Sequence, residues 1–459
     1  MRRSGKKRRL IYSSVLVTAV AIPLLGWTLG SVGGTGGGLY GPYEARLQLD
    51  GFKLWDNRSI AEAELEPYYA EVLQGDYASL PDGEERIAID ASAPSARSSE
   101  SALVKGEYGG RPDVLVWDSM DTQWVEYEVT VEREGLYEIH ATYLPLKGEN
   151  HTRPVVWDVK VDGARPFREA SSITLYRQWK DAEEIKKNDD GDEIRPIASD
   201  VSDWTTYPLA DSGANYAEPF KWHFSAGKHR IRLEGYEPVA VAELALAAPR
   251  SPRPYAEVAA AYAGASSPDA ASLTIQAERM SWKNDPSVVM MWDRDWRTAP
   301  RAKGRITYNT MGGVRWDWPN QEVFWEFEAP ESGLYKVGLR ALQNRFSQKA
   351  SFRTIRIDGE VPFKEWLTYR FPYQSSWQHV ALADESGEPF RIYLEKGMHT
   401  LSIALTHAAV SPIVRGIENL SALLRDIDKD LSAVTSGQSD RNRTWKLDRD
   451  LPGLRDRLE

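Results

Sequence analysis

The residues of this sequence best suited to binding a ligand are tryptophans that stand next to carboxylates and amides. Their indole rings are suited to stacking on the ligand. Trp316 and Trp318 stand in the run GGVRWDWPNQ, beside Asp317 and Asn320. An indole ring packs on the apolar face of a pyranose, while carboxylates and amides hydrogen-bond the sugar hydroxyls. The run therefore has the residue types of a sugar-binding loop. The alternative is that the rings cap a hydrophobic core, since large aromatic side chains mostly serve burial.

A second group of tryptophans precedes this run. It consists of Trp282, Trp292 and Trp296, the last two beside Asp293 and Asp295. The first half of the chain has no segment so rich in tryptophan. We predict that these three rings also contact the ligand.

Motifs for catalysis are weak by comparison. Acidic residues are so numerous that no pair can be singled out for glycoside hydrolysis, and the seven histidines lack the spacing of metal ligands. No nucleophile elbow, phosphate-binding glycine loop or H-E-x-x-H motif occurs. The acidic run at 188–193 lacks the spacing of a calcium loop and predicts a solvated loop. We expect no catalytic residues and a protein that is not an enzyme.

The elements that must hold these tryptophans come from an internal repeat with a period of about 190 residues. Its clearest part is VEYEVTVEREGLY at 125–137, which aligns without a gap to VFWEFEAPESGLY at 323–335. Each copy continues with an Asp-Gly pair, at 162–163 and 358–359. A match of this length predicts two domains of one fold.

Within each copy, apolar and polar residues alternate with period two. Val125, Tyr127 and Val129 alternate with Glu126 and Glu128. Such alternation indicates strands with one buried face, and Asp-Gly supplies the positive φ angles of a tight hairpin. The predicted fold is mostly β, with two tandem antiparallel β-sandwich domains of jelly-roll, galactose-binding-like type. Short helical linkers, an N-terminal hydrophobic segment and a C-terminal amphipathic helix complete it. The strands predicted to open the two copies are Ile87 to Ala91 and Leu273 to Ala277.

Composition and turn signals divide the chain into six segments. The predicted segments are a signal peptide or signal anchor at 1–36, a linker with a short helix at 37–84, the first β-sandwich module at 85–248, a Pro/Ala-rich linker with a short helix at 249–271, the second module at 272–422, and a C-terminal helix and tail at 423–459.

The N-terminus predicts export. Six basic residues precede an uncharged apolar run at 10–29, which is typical of a signal peptide or a signal anchor. The rest of the chain is then extracytoplasmic, secreted or anchored to the membrane. The chain has no cysteine, so disulfides, thiol catalysis and a lipid-modified cysteine are excluded. A net charge of −10 makes nucleic acid an unsuitable partner.

Five segments carry a resemblance to a known family: GGVRW, VFWEFEAPESGLYKV, RTIRIDGEVPF, EPFRIYLEKGMHTL and SDRNRTW. In this order they resemble the tandem galactose-binding-like modules, similar to carbohydrate-binding module families 6 and 35, at the N-terminus of large extracellular solute-binding proteins of Gram-positive carbohydrate ABC transporters. That family usually continues into a two-lobed binding domain and carries a lipobox cysteine. The resemblance implies a non-catalytic carbohydrate-binding protein of the cell envelope, part of or accessory to a sugar uptake system.

The resemblance also implies positions for the ligand and a metal. The ligand site of such modules is edged by the loop that holds Trp316, and Trp117 occupies the matching place in the first copy. Asp118 and Asp317 would add polar contacts. A structural Ca²⁺ would be held by Glu278, in an Ala-Glu pair at the end of the first strand. The expected partners are an oligosaccharide or polysaccharide, a transporter or solute-binding domain, and the membrane through the N-terminal segment.

A rival hypothesis is a structural or adaptor module that scaffolds a solute-binding domain or an envelope partner and binds no sugar. The amphipathic C-terminal helix favours it. The two hypotheses differ in the exposure of the tryptophans. An adaptor buries them, whereas a sugar-binding module exposes at least one ring at the rim of the sandwich.

Overall fold

A computed structural model describes residues 66–148, 152–268, 272–345 and 347–435, together with 449, 453 and 454. The predicted N-terminal hydrophobic segment at 10–29 lies outside these residues. Across the described ranges, no helix is both long enough and apolar enough to cross a bilayer.

The first repeat, residues 85–248, forms two antiparallel sheets behind a short helix. The elements are α1 (Tyr69–Gln74), β1 (Ile87–Asp90), β2 (Ala96–Arg97), β3 (Leu103–Tyr108), β4 (Arg111–Trp117), β5 (Gln123–Val131), β6 (Gly135–Pro145), β7 (Val155–Val161), a 3-10 helix (Arg168–Ser171), β8 (Ile173–Leu175), β9 (Trp179–Asp181), β10 (Ala198–Asp200), β11 (Thr205–Pro208), β12 (Lys221–Phe224), β13 (Gly227–Gly235) and β14 (Val239–Ala247). One sheet has the order β11-β6-β14-β4-β3, with β12 also paired to β6 and β1 to β14. The other sheet has the order β2-β5-β13-β7-β8.

The two sheets of the first repeat enclose one hydrophobic core, as the alternation in the sequence predicts. On β5, Val125, Tyr127 and Val129 are buried, while Glu126 and Glu128 point away from the core. Removal of this apolar surface from water drives the packing of the two sheets. The predicted mostly β, antiparallel sandwich fold is confirmed.

The Asp-Gly pairs form the predicted hairpins. Asp162 and Gly163 both have positive φ, at 51° and 85°, and Asp358 and Gly359 repeat this geometry at 52° and 82°. Positive φ at both central residues defines the two-residue turn that matches the twist of antiparallel strands. The same turn therefore joins equivalent positions in the two repeats.

The second repeat, residues 272–422, has shorter strands and a less continuous outer sheet. It follows a short helix and ends in a long one. The elements are α2 (Tyr255–Ala261), β15 (Trp282–Lys283), β16 (Met290–Met291), β17 (Thr310–Met311), a 3-10 helix (Gly313–Arg315), β18 (Glu322–Ala329), β19 (Gly333–Tyr335), β20 (Gly338–Ala341), β21 (Ser351–Ile357), a 3-10 helix (Lys364–Trp366), β22 (Tyr369–Phe371), β23 (Gln378–Ala381), β24 (Ile392–Leu394), β25 (Gly397–Leu405) and α3 (Ser411–Thr435).

The strand predicted at Leu273 to Ala277 does not form. Residues 273–276 carry no regular structure, and Leu273 and Ile275 are exposed. In the first repeat the equivalent strand β1 pairs with β14. The chain that follows β25 enters helix α3 instead of a strand equivalent to β14. Within the part of the chain that the structure describes, the segment therefore has no strand to pair with.

An insertion of the first repeat connects the two repeats. Residues 176–203, the first insertion, contain β9 and β10, and β9 pairs with β15 of the second repeat. One sheet of order β10-β9-β15-β18-β25-β21-β22 results. Buried Lys283 strengthens this junction, because its Nζ donates to Asp181 Oδ1 at 2.7 Å and to the Val288 carbonyl at 2.6 Å. The repeats therefore share backbone hydrogen bonds.

In both repeats a histidine side chain hydrogen-bonds the aspartate of the Asp-Gly hairpin. His229 Nδ1 lies 2.6 Å from Asp162 Oδ2, and His399 Nδ1 lies 2.7 Å from Asp358 Oδ2. In the second repeat Nε2 also faces an acceptor, the Glu395 carbonyl, at 2.7 Å. Burial lowers the pKa of His399, but these hydrogen bonds outweigh it and raise that pKa above 6.5. With an acceptor at each ring nitrogen, the imidazolium is the form that satisfies both.

We predict a pH-dependent contribution of His399 to stability. Because the folded-state pKa lies above the unfolded value, the contribution is fully present below pH 6.5 and is lost as the pH rises through the folded pKa. Thermal unfolding between pH 5.5 and 8.5 should show a steeper decline for the native chain than for His399→Gln. Parallel declines would contradict the role of this imidazolium.

Helix α3 is amphipathic, as the sequence predicts. Ile413, Ile417, Leu420 and Leu424 recur on one face, yet each is more than half exposed. Among the described apolar side chains of this helix, only Ile427 is buried. Most of the apolar face of α3 is thus uncovered by the described residues.

Candidate functional site

A groove of about 440 Å³ lies between strands β20 and β23 and the loop that joins β16 to β17. We call it the tryptophan groove. Trp296 on one wall is 68% exposed, and Trp377 on the other is half-buried. The residues that line it are Trp296, Arg297, Thr298, Ala299, Arg301, Arg340, Trp377, Gln378 and His379.

The loop of the groove is an insertion of the second repeat. In the first repeat the equivalent hairpin, β3 to β4, turns through Gly109 and Gly110 alone. The indole Nε1 of Trp204 donates to the carbonyl of Gly109 there. Trp377 is the counterpart of Trp204, but residues 292–309, the second insertion, replace the tight turn. The longer loop stands away from the strands and leaves the groove.

Buried polar side chains fix the shape of the second insertion. Asn309 Nδ2 donates to the Asp293 carbonyl at 3.0 Å, to Thr298 Oγ1 at 3.0 Å and to the Pro300 carbonyl at 2.8 Å. The carboxylate of Asp293 accepts a hydrogen bond from Trp377 Nε1 at 2.9 Å. The indole of Trp377 is therefore held against the loop, and the groove is preorganised for a ligand.

The first insertion supports the second one from outside. Asp192 Oδ1 accepts the backbone N–H of Ile306 at 2.7 Å, and Glu193 Oε2 accepts that of Tyr308 at 2.7 Å. The guanidinium of Arg195 lies 5.4 Å above the Tyr308 ring. Two side chains of the run at 188–193, which was predicted to be a solvated acidic loop, thus bind the backbone of the second insertion. A single sequence does not reveal such long-range hydrogen bonds.

Positive charge concentrates at the groove, although the whole chain is acidic at −10. Arg297 pairs with Asp295 at 3.1 Å, but Arg301 and Arg340 are exposed. The Nη2 atom of Arg340 lies 3.4 Å from His379 Nε2. Guanidinium groups bind carboxylates and phosphates bidentately. Aromatic faces beside uncompensated guanidinium groups can bind a ring that carries negative charge.

Of the tryptophans predicted to bind ligand, Trp296 lies in the groove and Trp292 lies on the same loop. The guanidinium of Arg294 sits 5.0 Å above the Trp292 ring, which is 36% exposed. Sequence reasoning missed the contributions of Trp377, Arg340 and His379. The available signal was the alignment of Trp377 with Trp204, followed by the extra loop in only one copy.

The predicted loop around Trp316 is not part of the groove. Trp316 is half-buried against the core of the second repeat, and its Nε1 donates to the Gln321 carbonyl at 2.9 Å. This geometry matches a core cap. Trp318 is 68% exposed, and Asp317 pairs with Arg345 at 2.9 Å. Neither residue lines the tryptophan groove.

The side chains of Asn320 and Trp282 make contacts within the protein. Asn320 has a φ of 58°, and its Nδ2 donates to the Asp211 carbonyl of the first repeat at 2.7 Å. The Trp282 ring stacks on Phe324, with ring centroids 3.3 Å apart. The prediction of ligand contacts is corrected for Asn320, because its amide serves the contact between the repeats.

The predicted platform at Trp117 is wrong. Trp117 is 0% exposed, at the end of β4, where it pairs with Leu103 and Val239. A ring enclosed by two neighbouring strands and the core presents no face to a sugar. Asp118 is exposed beside it but has no aromatic surface to assist there.

Glu278, the predicted calcium ligand, is 3% exposed, and burial raises its pKa. A calcium site needs several oxygen ligands, usually more than one carboxylate. Across the described ranges, no three His, Asp or Glu side chains gather in a way that would hold a metal ion. The surroundings of Glu278 therefore do not supply a carboxylate cage, and its role as a ligand stays a prediction.

Comparison with known proteins adds similarities of shape only. No family model and no curated protein matches the sequence. The Podospora anserina GH26-CBM35 β-(1,4)-mannanase matches 38% of this chain at 13% identity and a TM-score of 0.21, and the match spans 29% of the mannanase chain. A family 35 carbohydrate-binding module from Clostridium thermocellum matches 35% of this chain and 97% of its own, at 12% identity and 0.20. The CBM35 of Cellvibrio japonicus Abf62 matches 36% of this chain over 95% of its own length, at 8% sequence identity and a TM-score of 0.23. Scores this low leave the function to be inferred from the groove.

Proposed function

We propose that this protein binds carbohydrate without catalysis, in the tryptophan groove of the second repeat. One observation carries the proposal: Trp296, 68% exposed, shares a preorganised groove with Trp377. A soluble protein rarely leaves a large ring exposed beside a second ring in a concave site unless a ligand covers it. In the first repeat the tight Gly109–Gly110 turn stands in place of the groove loop, and the insertion of that repeat supports the second one.

We infer further that the preferred carbohydrate is anionic. Arg301 and Arg340 face the groove without a carboxylate among their hydrogen-bond or ion-pair partners in the described residues. A uronic acid residue would place its sugar face on Trp296 and its carboxylate near these guanidinium groups. The chain's overall negative charge would otherwise repel such a ligand, so the local charge must provide the attraction.

A calorimetric titration distinguishes an anionic from a neutral ligand. The full chain in detergent, titrated with tetragalacturonic acid and with cellotetraose at low salt, should bind the uronide at least about tenfold more tightly. Raising the ionic strength to about 0.5 M should shrink that preference, since screening weakens exposed charge pairs. Equal affinities, or a preference for cellotetraose, would refute the anionic ligand. No binding of any oligosaccharide, or release of shortened products, would refute the proposed function.

The cellular setting is part of the proposal and rests on sequence. The six basic residues and the apolar run at 10–29 that follows them favour export. The repeats would then lie outside the cytoplasm, with the chain either secreted or anchored to the membrane at its N-terminus. The resemblance of the repeat motifs supports a role in, or accessory to, an ABC-type sugar uptake system of a Gram-positive envelope.

An adaptor role is the second candidate, and the exposed face of α3 favours it. Ile417, Leu420 and Leu424 are each more than half exposed on one side of this helix. An apolar helix face of this kind suits docking of another helix or domain. This role and carbohydrate binding use different surfaces, so both can hold.

A further inference from the structure

We propose that the second repeat is completed by a β-strand from a different protein, which inserts between β20 and the β16–β17 hairpin. The strand would be an extended segment with aliphatic side chains at alternate positions. This inference does not depend on the groove binding a sugar.

Comparison of the two outer sheets shows the open position. In the first repeat, β14 pairs with β6 on one side and with β4 on the other, and so joins the β3–β4 hairpin to the sheet. Strand β20 and the β16–β17 hairpin are the counterparts of β6 and β3–β4. Within the described residues, β20 pairs with β23 alone and β16 with β17 alone. Among the described residues, no strand is paired with both of them as β14 is in the first repeat.

The backbone of β20 is aligned to receive that strand. The N–H of Leu382 donates to the Val337 carbonyl, so Val337 and Leu339 direct their backbone groups toward β23. Gly338 and Arg340 therefore direct theirs to the opposite edge. Their counterparts in the first repeat, His140 and Thr142, lie opposite Ala245 and Glu243 of β14. Such an unpaired edge is a template for strand addition.

The core of the second repeat is open on the same side. Ile139 and Ala141 of the first repeat are 0% exposed, whereas their counterparts Val337 and Leu339 are only partly buried. The same contrast recurs deeper in the core. There Ile173, Leu175 and Ile231 are fully buried, and their counterparts Tyr369, Phe371 and Leu401 are partly buried.

The chemistry of the inserted strand follows from β14. Its inward side chains are Val239, Val241, Leu244 and Leu246, all buried in the core of the first repeat. β14 pairs with β6 along one edge and with β4 along the other, so the equivalent position in the second repeat takes one strand. A folded second copy would present a strand already paired with neighbours. A free, extended segment with alternating aliphatic residues fits better.

A peptide with the sequence of β14 tests the proposal. EPVAVAELALAA, residues 237–248, is labelled and added to the full chain in detergent, with hydrogen exchange followed at single residues. Saturating peptide should slow exchange at Gly338 and Arg340 at least about tenfold. The amides of His140 and Thr142 are the matched control and should be protected with or without peptide. A control peptide carries proline in place of the alanine between the two valines and in place of the alanine between the two leucines. This peptide should have no effect.

The outcomes separate the possible occupants. No protection at Gly338 and Arg340 would overturn the proposal. Protection before any peptide is added would also overturn it, because the edge would already be paired. If that protection grows with protein concentration the occupant is a second copy, and otherwise it is a segment of the same chain. A Gly338→Pro variant, checked for native circular dichroism, should lose peptide binding because proline removes the donor N–H.

Discussion

Trp296→Ala should weaken carbohydrate binding by about tenfold or more, because truncation of a central aromatic anchor typically costs about 2 kcal/mol. The exposed ring of Trp296 forms one wall of the tryptophan groove opposite Trp377. Its removal takes away stacking surface without disturbing the core. Titration of the tetragalacturonide into native and variant chains measures the loss directly.

Trp318→Ala is the matched control for this experiment. Trp318 and Trp296 are equally exposed, each at 68%, but Trp318 lies outside the groove beside Asp317. Its replacement should leave the affinity unchanged. If Trp318→Ala weakened binding and Trp296→Ala did not, the ligand would bind on the Trp316 loop, and the groove would have to be abandoned as the site.

Lys283→Met should destabilise the protein by about 3 to 5 kcal/mol, because it leaves a buried carboxylate without its partner. Lys283 is 0% exposed, and its ion pair with Asp181 joins the two repeats. Burial lowers the pKa of Lys283, and the bond to Asp181 opposes that shift. The melting temperature should fall by about 10 °C. Differential scanning calorimetry would measure it.

Two further variants identify the cause of this loss. Lys105→Met breaks an ion pair of similar length, 2.9 Å to Asp113, whose partners are both exposed, and it should leave the melting temperature unchanged. Lys283→Met combined with Asp181→Leu removes both buried charges and should recover most of the stability. A double variant as unstable as Lys283→Met would show that packing, and not the unpaired charge, dominates.

The β-sandwich fold was largely predictable because its signals are local. Alternation over 125–131 and the Asp-Gly turns specify strands and hairpins within a few residues of one another. The spacing of Ile417, Leu420 and Leu424 likewise identifies helix α3. The strand expected from Leu273 failed because strand formation depends on a distant partner, which β14 provides only in the first repeat.

The site was less predictable because residues far apart in sequence assemble it. Trp296 was identified from its tryptophan-rich segment, whereas Arg340 and His379 come from two strands that meet only in the folded sheet. Trp117 looked equivalent to Trp316 in the alignment. It is buried because its ring lies in the core between the two sheets of the first repeat, and no local pattern shows that the ring faces inward.

The contact between the two insertions has an evolutionary consequence. Each insertion occurs in one repeat only, and the first supplies acceptors for the backbone of the second at Ile306 and Tyr308. Deleting residues 176–203 would leave those donors unsatisfied and would expose the edge of β15. Loss or reordering of one repeat would therefore break hydrogen bonds made by the other. We expect the two repeats to be inherited as one unit and not as independent modules.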